Sequence, residues 1–510
     1  MTESDETTTL CPASSSHSYQ SLEASAWDVE IDIKDQVDTG EVDSDNRFSW
    51  SKLLKYMGPG WLMAIAYLDP GNLESDLQTG AIAGYQLLWL LFWCHAAGLA
   101  IQTLAIRLGV VTGKHLAQHI RQAYDGRTAK VIWFFSQCAI IGSDIQEIVG
   151  TAIALRIFFN LPIWAGVLIT ATDTFFFMWL QQFGVRKIEA FFMSLIGIMV
   201  ACFFTEMISS GPDIGAIVEG MWLPRIPTNA TVQAVGMIGC LLMPHDLYLH
   251  SALVGSRFLG PSPSAAKKKE ANFYFTLESA LALLTSYCIN LAIVVVFAQV
   301  YYQAPLPTWM TSDGPARLPG LYDAAEVLER TLGPMARYLW AAGLLAAGQS
   351  STMTGTLAGQ YVMEGFFGKF FKKQWHRMAC TRAVALIPSM LVALYAADRF
   401  DTMGELLNVV QSLCLPMAII PLLKLTSSET VMTPDEKNGG WMNTICWMLS
   451  VVVIGFNGSA FMEFLQAWDY HWLLLCLSVL YFGFVGYILY LPLGPSRVLD
   501  TKPSSHSHQQ

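Results

Sequence analysis

Asp69, Pro70, Gly71 and Asn72 stand together inside an otherwise apolar stretch, AIAYLDPGNLESDLQTG, residues 64–80. Proline removes a backbone N–H and clashes with the preceding turn, so helical carbonyls near it lose their partners. A carboxylate and a carboxamide oxygen beside freed carbonyls form a donor set for a cation. A second run, AVGMIGCLLMPHDLYLHSAL, residues 234–253, is cut the same way by Pro244. It adds the thioether of Met243, and the carbonyl of Cys240 falls where the first half of that helix should end. Carboxylate, amide, carbonyl and sulfur together suit a divalent first-row transition metal, because Ca²⁺ and Mg²⁺ prefer shells made entirely of oxygen. Two alternatives stand beside this reading. Asp69 and Asn72 are also residue types that cap helix N-termini, and Met243 is one of 22 methionines, a residue commonly used to fill cores.

The elements that carry these residues are membrane-spanning. Of 510 residues, 53% are hydrophobic and 14% charged, outside the range of soluble domains. Runs of about 20 apolar residues, the length that crosses a bilayer, recur about twelve times. Helices are expected over 54–79 (broken), 85–110, 130–159, 162–182, 188–209 and 231–255 (interrupted), and then over 272–301, 334–367, 377–396, 404–425, 441–464 and 470–491. A carboxylate at mid-membrane costs about 2.5 to 3.5 kcal/mol even on the milder insertion scale, so Asp69 demands compensation.

The two interruptions lie five helices apart, each opening one half of the chain. That pattern predicts two five-helix repeats, each beginning with a discontinuous helix. Because five is odd, the repeats must be inverted across the membrane. The expected organisation is a disordered cytoplasmic tail over 1–50, a first repeat over 51–209, a second over 210–425, two further helices over 426–493 and a cytoplasmic tail over 494–510. Basic residues concentrate in alternate loops, Lys114 with Arg121, Arg127 and Lys130, for example, and Lys267 with Lys268 and Lys269. The positive-inside rule makes those loops and both termini cytoplasmic. Asn229-Ala230-Thr231 is a glycosylation sequon in an opposite loop. Nine of the ten cysteines lie in apolar segments, which argues against a disulfide framework. No cleaved signal is expected before the first helix, and Tyr19-Gln20-Ser21-Leu22 has the form of an endocytic sorting signal.

Titratable groups away from the two breaks could move protons. Asp144 and Glu147 sit three apart in IGSDIQEIVG, on one face of the third helix. Arg382, early in the ninth, is the available countercharge. A structural ion pair holding those helices together is the competing explanation. His245 adjoins the second break and is of the side-chain type that can titrate near neutral pH, while His250, five residues on, points to another face. Asp173, Glu278 and Asn290 are polar residues at membrane depth with no assignable role beyond packing or gating. The GQSSTMTG run from Gly348 is expected to permit close helix packing rather than to touch substrate.

Taken together, AYLDPGNLESDLQTGA, MPH followed by YLHSAL, IGSDIQE and LAAGQSSTMTGT resemble the Nramp family of proton-coupled divalent metal transporters, over nearly the whole chain from about Trp50 to Leu491. The resemblance implies the LeuT-like 5+5 inverted-repeat fold, all-α and polytopic. It implies Asp69, Asn72, Met243 and the Cys240 carbonyl as metal ligands, with Gln411 of QSLCLP joining in some conformations. It also implies a proton route through Asp144, Glu147 and Arg382. The family usually reads MPHN, whereas this chain has Asp246 after His245; an extra acid near the route could change metal preference or proton handling, and the favoured expectation is that it points into the cytoplasmic vestibule and is solvated. The expected activity is symport of M²⁺, such as Mn²⁺ or Fe²⁺ and also Co²⁺, Zn²⁺ or Cd²⁺, with H⁺ toward the cytoplasm. A Na⁺-coupled organic-solute carrier on the same fold is disfavoured by Met243 and Asp69. An ion channel would need a repeated filter segment. A metalloenzyme is not expected either, since no H-E-x-x-H occurs. Neither a resident cofactor nor a nucleic-acid partner is expected. The protein should be a monomer in the plasma membrane or an endosomal or vacuolar membrane.

Overall fold

Prolines set the helix starts that matter most: Pro59, Pro70, Pro244, Pro334 and Pro416 all open helices, where a missing N–H leaves no hydrogen bond unmade. The computed structural model describes residues 37–39, 48–181, 183–260, 263–302, 319–368, 374–395, 400–434, 436–467 and 471–493. The expectations for most of both tails, including Cys11 and the 19–22 signal, lie outside the described residues.

The first half begins with α1 (Trp50–Tyr56), which stops at Met57 before the main chain turns through Gly58 at φ 150°. The first span follows as two pieces, α2 (Pro59–Ala66) and α3 (Pro70–Ala83), separated by Tyr67, Leu68 and Asp69. Next come α4 (Leu88–Thr112), the short amphipathic α5 (Leu116–Ala123), α6 (Gly126–Phe159), α7 (Ile163–Gln181) and α8 (Val185–Ser210). A connecting helix α9 (Ile214–Trp222) leads to the second half.

That half repeats the plan. α10 (Thr231–Leu241) and α11 (Pro244–Leu253) are one span interrupted at Leu242 and Met243. They precede α12 (Ala265–Phe297), which ends in a π-helical turn over Ala298–Tyr302. The amphipathic α13 (Leu321–Leu332), α14 (Pro334–Phe367) and α15 (Gln374–Tyr395) follow. The tenth span runs as α16 (Phe400–Cys414) and α17 (Pro416–Ser427), joined through Leu415, whose backbone stays α-helical at φ −60° and ψ −43°, so Pro416 removes one hydrogen bond without ending the span that the sequence suggests. Two further spans close the chain, α18 (Gly440–Ala467) and α19 (His471–Tyr490). The result is an all-α polytopic membrane protein with inverted repeats and broken first and sixth spans.

The most extensive helix pairing is α14 against α6, through the small-residue run of α14, as expected. Outward-facing Trp164, Phe175, Trp179, Ile198, Val451 and Leu480 leave an apolar perimeter suited to lipid.

One part of the N-terminal tail is ordered. Val37–Asp38 pairs in parallel with Arg257–Phe258, and Thr39 Oγ1 donates to the Phe258 carbonyl at 2.9 Å. The tail over 1–50 is therefore not disordered throughout, since this extended segment finds unpaired main-chain groups in the loop after α11.

Candidate metal-binding site at the two helix breaks

Asp69 is the N-cap of α3, with Oδ1 accepting from the Asn72 amide at 2.9 Å. Capping uses only one of its oxygens. Among the described residues Oδ2 has no hydrogen-bond donor, although Asp69 is fully buried. Asn72 completes the local cluster. Its Nδ2 donates to the Ala66 carbonyl at 3.2 Å, to Asp69 Oδ1, and to the Cys240 carbonyl across the repeat boundary at 3.2 Å. Its Oδ1 is left without a donor. Cys240 lies one residue before the end of α10, and Met243 is the N-cap of α11; both are buried.

Gln411 on α16 reaches the same region through a chain of amides. Its Nε2 donates to Gln146 Oε1 at 2.9 Å, and Gln146 Nε2 donates to Asn408 Oδ1 at 2.8 Å and to the Gly404 carbonyl at 3.0 Å. Asn408 Nδ2 in turn donates to the Gly71 carbonyl at 3.4 Å. A Cβ at Gly71 would lie 2.6 Å from Gln146 Oε1, so a larger residue there would displace the Gln146 amide from this chain of hydrogen bonds. Gln411 Oε1 also lacks a donor. Three side-chain oxygens, Asp69 Oδ2, Asn72 Oδ1 and Gln411 Oε1, are thus buried as unused acceptors around the breaks, an arrangement that costs free energy unless a positive partner arrives.

Several of the other side chains singled out from the sequence have partners of their own. Arg382 Nη1 on α15 pairs with Asp144 Oδ1 on α6, and both side chains are buried. Glu147, one turn on, accepts from Ser143 at 2.9 Å and from Ser351 of the α14 small-residue run at 2.6 Å. Gly355 of that run leaves room for the two acids, a Cβ there lying 3.3 Å from Asp144 Oδ1 and 3.4 Å from the Glu147 carboxylate. Glu147 is within electrostatic reach of Asp69, so the α6 acids and the breaks form one polar interior. His245 and His250 are both buried on α11. Neither His250 nitrogen has a hydrogen-bond partner among the described residues.

The residues without a role acquire one. Asn290 Nδ2 donates to the Tyr67 carbonyl at 2.9 Å, holding the first break open from α12. Glu278 Oε1 accepts from the amides of Gly58, Gly60 at 3.0 Å and Trp61 at 3.4 Å, capping α2 from another helix. Asp173 accepts from Gln349 at 2.6 Å.

Asp246 requires a correction. Expected in a solvated vestibule, it is only 2% exposed, because α11 is buried from its first turn to its last. Sequence reasoning also passed over Gln146 and Asn408. Gln146 lies between Asp144 and Glu147, and Asn408 one turn before Gln411, so a polar residue recurring beside a recognised one at membrane depth was the available signal.

Comparisons with known proteins bear on the family and the fold. Residues 60–463 match the family described as Natural resistance-associated macrophage protein-like, Nramp. The "Metal transporter nramp1 homolog" of Dictyostelium discoideum is 46% identical over 449 residues, covering 88% of this chain and 82% of that protein. "Metal transporter Nramp4" of Arabidopsis thaliana is 43% identical over 479 residues, covering 91% and 90%. Among solved structures, a manganese transporter of Eremococcus coleocola superposes with a TM-score of 0.75 at 29% identity, over 90% of this chain and 96% of that one. Mhp1, a nucleobase-cation-symport-1 family transporter, superposes with a TM-score of 0.50 at 15% identity, over 85% and 92%, a likeness of fold alone.

Proposed function

This chain belongs to the Nramp family, and from that premise we propose that it is a symporter of divalent transition-metal ions and protons working by alternating access toward the cytoplasm. The observation that carries the reading is the set of buried acceptor oxygens without donors, Asp69 Oδ2, Asn72 Oδ1 and Gln411 Oε1, gathered where two helices are interrupted. These oxygens, the Cys240 carbonyl and the Met243 thioether hold the ion. The sulfur favours Mn²⁺, Fe²⁺, Co²⁺, Zn²⁺ and Cd²⁺ over Ca²⁺ and Mg²⁺. The metal is cargo, and no resident cofactor takes part.

Protons travel separately. His245 adjoins the site, Asp144 and Glu147 continue from it along α6, and Arg382 pairs with Asp144 as its countercharge. His250 extends the route along α11. Each elementary charge entering a negative interior gains about 2.3 kcal/mol per 100 mV, so both the pH gradient and the potential drive uptake. The relatives' printed names as metal transporters and the manganese-transporter neighbour favour this cargo. Both termini are cytoplasmic, the membrane is the plasma membrane or an endosomal or vacuolar one, and one chain suffices, because every ligand comes from it.

The test is uptake of Mn²⁺ and Ca²⁺ into proteoliposomes at acidic and neutral pH, with and without Na⁺. Acid-stimulated, Na⁺-independent Mn²⁺ uptake is expected for the wild type, loss of it for Asp69→Ala, and increased Ca²⁺ entry for Met243→Ala. Mn²⁺ uptake undiminished by Asp69→Ala would reduce that carboxylate to a helix cap.

A further inference from the structure

The two breaks are in register. Asp69-Pro70-Gly71-Asn72 opens α3 and Met243-Pro244-His245-Asp246 opens α11, each with proline at the first helical position. Met243 is thus the counterpart of Asp69, and Asp246 the counterpart of Asn72. The first repeat carries its acid at the N-cap and its amide three residues on. The second carries sulfur at the N-cap and an acid three residues on.

Asp246 is buried, and neither of its oxygens has a hydrogen-bond donor among the described residues. His245 Nε2 lies 3.9 Å from Oδ1, beyond hydrogen-bonding distance. The Asp69 carboxylate and the Tyr67 hydroxyl are within electrostatic reach, and neither offers a positive charge. The N-terminal turn of α11 gives partial compensation through its dipole, which is small beside the cost of removing a carboxylate from water. Asn72 makes the same point independently. It is the repeat-related partner of Asp246, it is buried, and its Oδ1 also lacks a donor while its amide nitrogen bridges to Cys240.

We propose that Asp246 is a second carboxylate donor to the transported cation, contributed by the second repeat where the first contributes Asn72, and that it tunes which cation the site prefers. The inference rests on the metal-transport reading above. Two carboxylates balance the charge of a divalent ion, and a second hard oxygen donor raises affinity for Mn²⁺ more than for the softer Cd²⁺, opposing the thioether of Met243.

Calorimetric titration of the full-length detergent-solubilised protein with Mn²⁺ and with Cd²⁺ tests this on wild type, Asp246→Asn and Asp69→Ala. Asp246→Asn is expected to weaken Mn²⁺ binding about tenfold or more while Cd²⁺ binding changes far less. The retained Cd²⁺ isotherm also shows that the variant is folded. Equal Mn²⁺ affinity in wild type and Asp246→Asn would overturn the proposal, because a carboxyl buried as the neutral acid is equivalent to the amide. Equal loss of both metals would overturn it as well, leaving Asp246 a general support of the fold. If Asp69→Ala abolishes binding and Asp246→Asn does not alter it, the transport reading stands and this inference alone falls; if wild type binds neither metal, both fall.

Discussion

The Asn72 side-chain amide donates to the Cys240 carbonyl at 3.2 Å, so a single residue ties the interruption of the first span to that of the sixth. Two helices that each lack main-chain bonds at their breaks are locked together by the group that also presents an oxygen to the site. Asn72→Asp keeps the size but replaces the donor with a carboxylate facing a carbonyl. Mn²⁺ uptake should fall about tenfold or more in kcat/KM, since losing a hydrogen bond to a buried acceptor costs about 1–3 kcal/mol. Uptake kinetics equal to wild type would show that the bridge is dispensable.

Glu278 should act as a structural cap for α2. Glu278→Ala strips the acceptor from the Gly58, Gly60 and Trp61 amides, with an expected loss of about 1–3 kcal/mol. Glu278→Gln retains an acceptor oxygen and should recover part of it. Thermal unfolding in detergent reads the order wild type, Gln, Ala; identical melting temperatures would dismiss the cap.

Arg382 and Asp144 separate an ion-pair lattice from a proton route. Arg382→Ala leaves a buried carboxylate uncompensated and should destabilise by about 3–5 kcal/mol. The charge-free pair Asp144→Asn with Arg382→Gln should fold again. If the pair serves proton transfer, that double variant loses the acid stimulation of Mn²⁺ uptake; a pH profile superimposable on wild type would make the pair purely structural.

Acidic conditions should strain α5. Burial, reinforced by the Lys114 ammonium, pushes the His119 imidazole from 6.5 down to about 4. Between those values the unfolded chain binds a proton that the folded chain refuses, so stability falls as pH drops from about 6.5 to about 4 and levels off below. The contribution is on the order of 3 kcal/mol. His119→Gln should flatten that part of the stability curve, which melting temperatures measured at stepped pH would reveal as a shallower slope; an unchanged slope would assign the acid sensitivity elsewhere.

Arg186 and Arg257 clamp the end of α1. Arg186 donates to the carbonyls of Met57 at 2.7 Å, Lys55 at 2.8 Å and Leu54 at 3.2 Å, while Arg257 donates to Lys55 at 3.0 Å and pairs with Glu189 at 2.7 Å. Arg257→Ala should therefore release α1 and raise the labelling rate of a cysteine placed at the buried Leu53 about tenfold, a modest shift in an opening equilibrium. A labelling rate that stays at the wild-type level would locate the restraint in Arg186 alone.

Much of the site was legible in the sequence because proline and charge are informative at membrane depth. Asp69-Pro70 and Met243-Pro244 mark breaks by local chemistry alone, and both appear where expected. Helix α14 begins and ends at Pro334 and Phe367, as the hydropathy indicates. The tenth span was legible too: Pro416 lies inside it, yet Leu415 before it keeps helical backbone angles and the span runs on to Ser427.

What the sequence determined by itself is the inventory: membrane-spanning helices, two interruptions five spans apart, and donor types that suit a transition metal. These follow from composition and from local backbone limits, which act over a few residues. What the tertiary structure decided is partnership. That Gln146 would bridge Gln411 to Asn408, that Glu278 would cap a helix 220 residues away from it in sequence at Gly58, and that Asp246 would be buried rather than solvated depend on which helix faces which. Those pairings arise from packing between segments far apart in the chain, where the fit of small residues such as Gly71 and Gly355 sets how closely the helices approach.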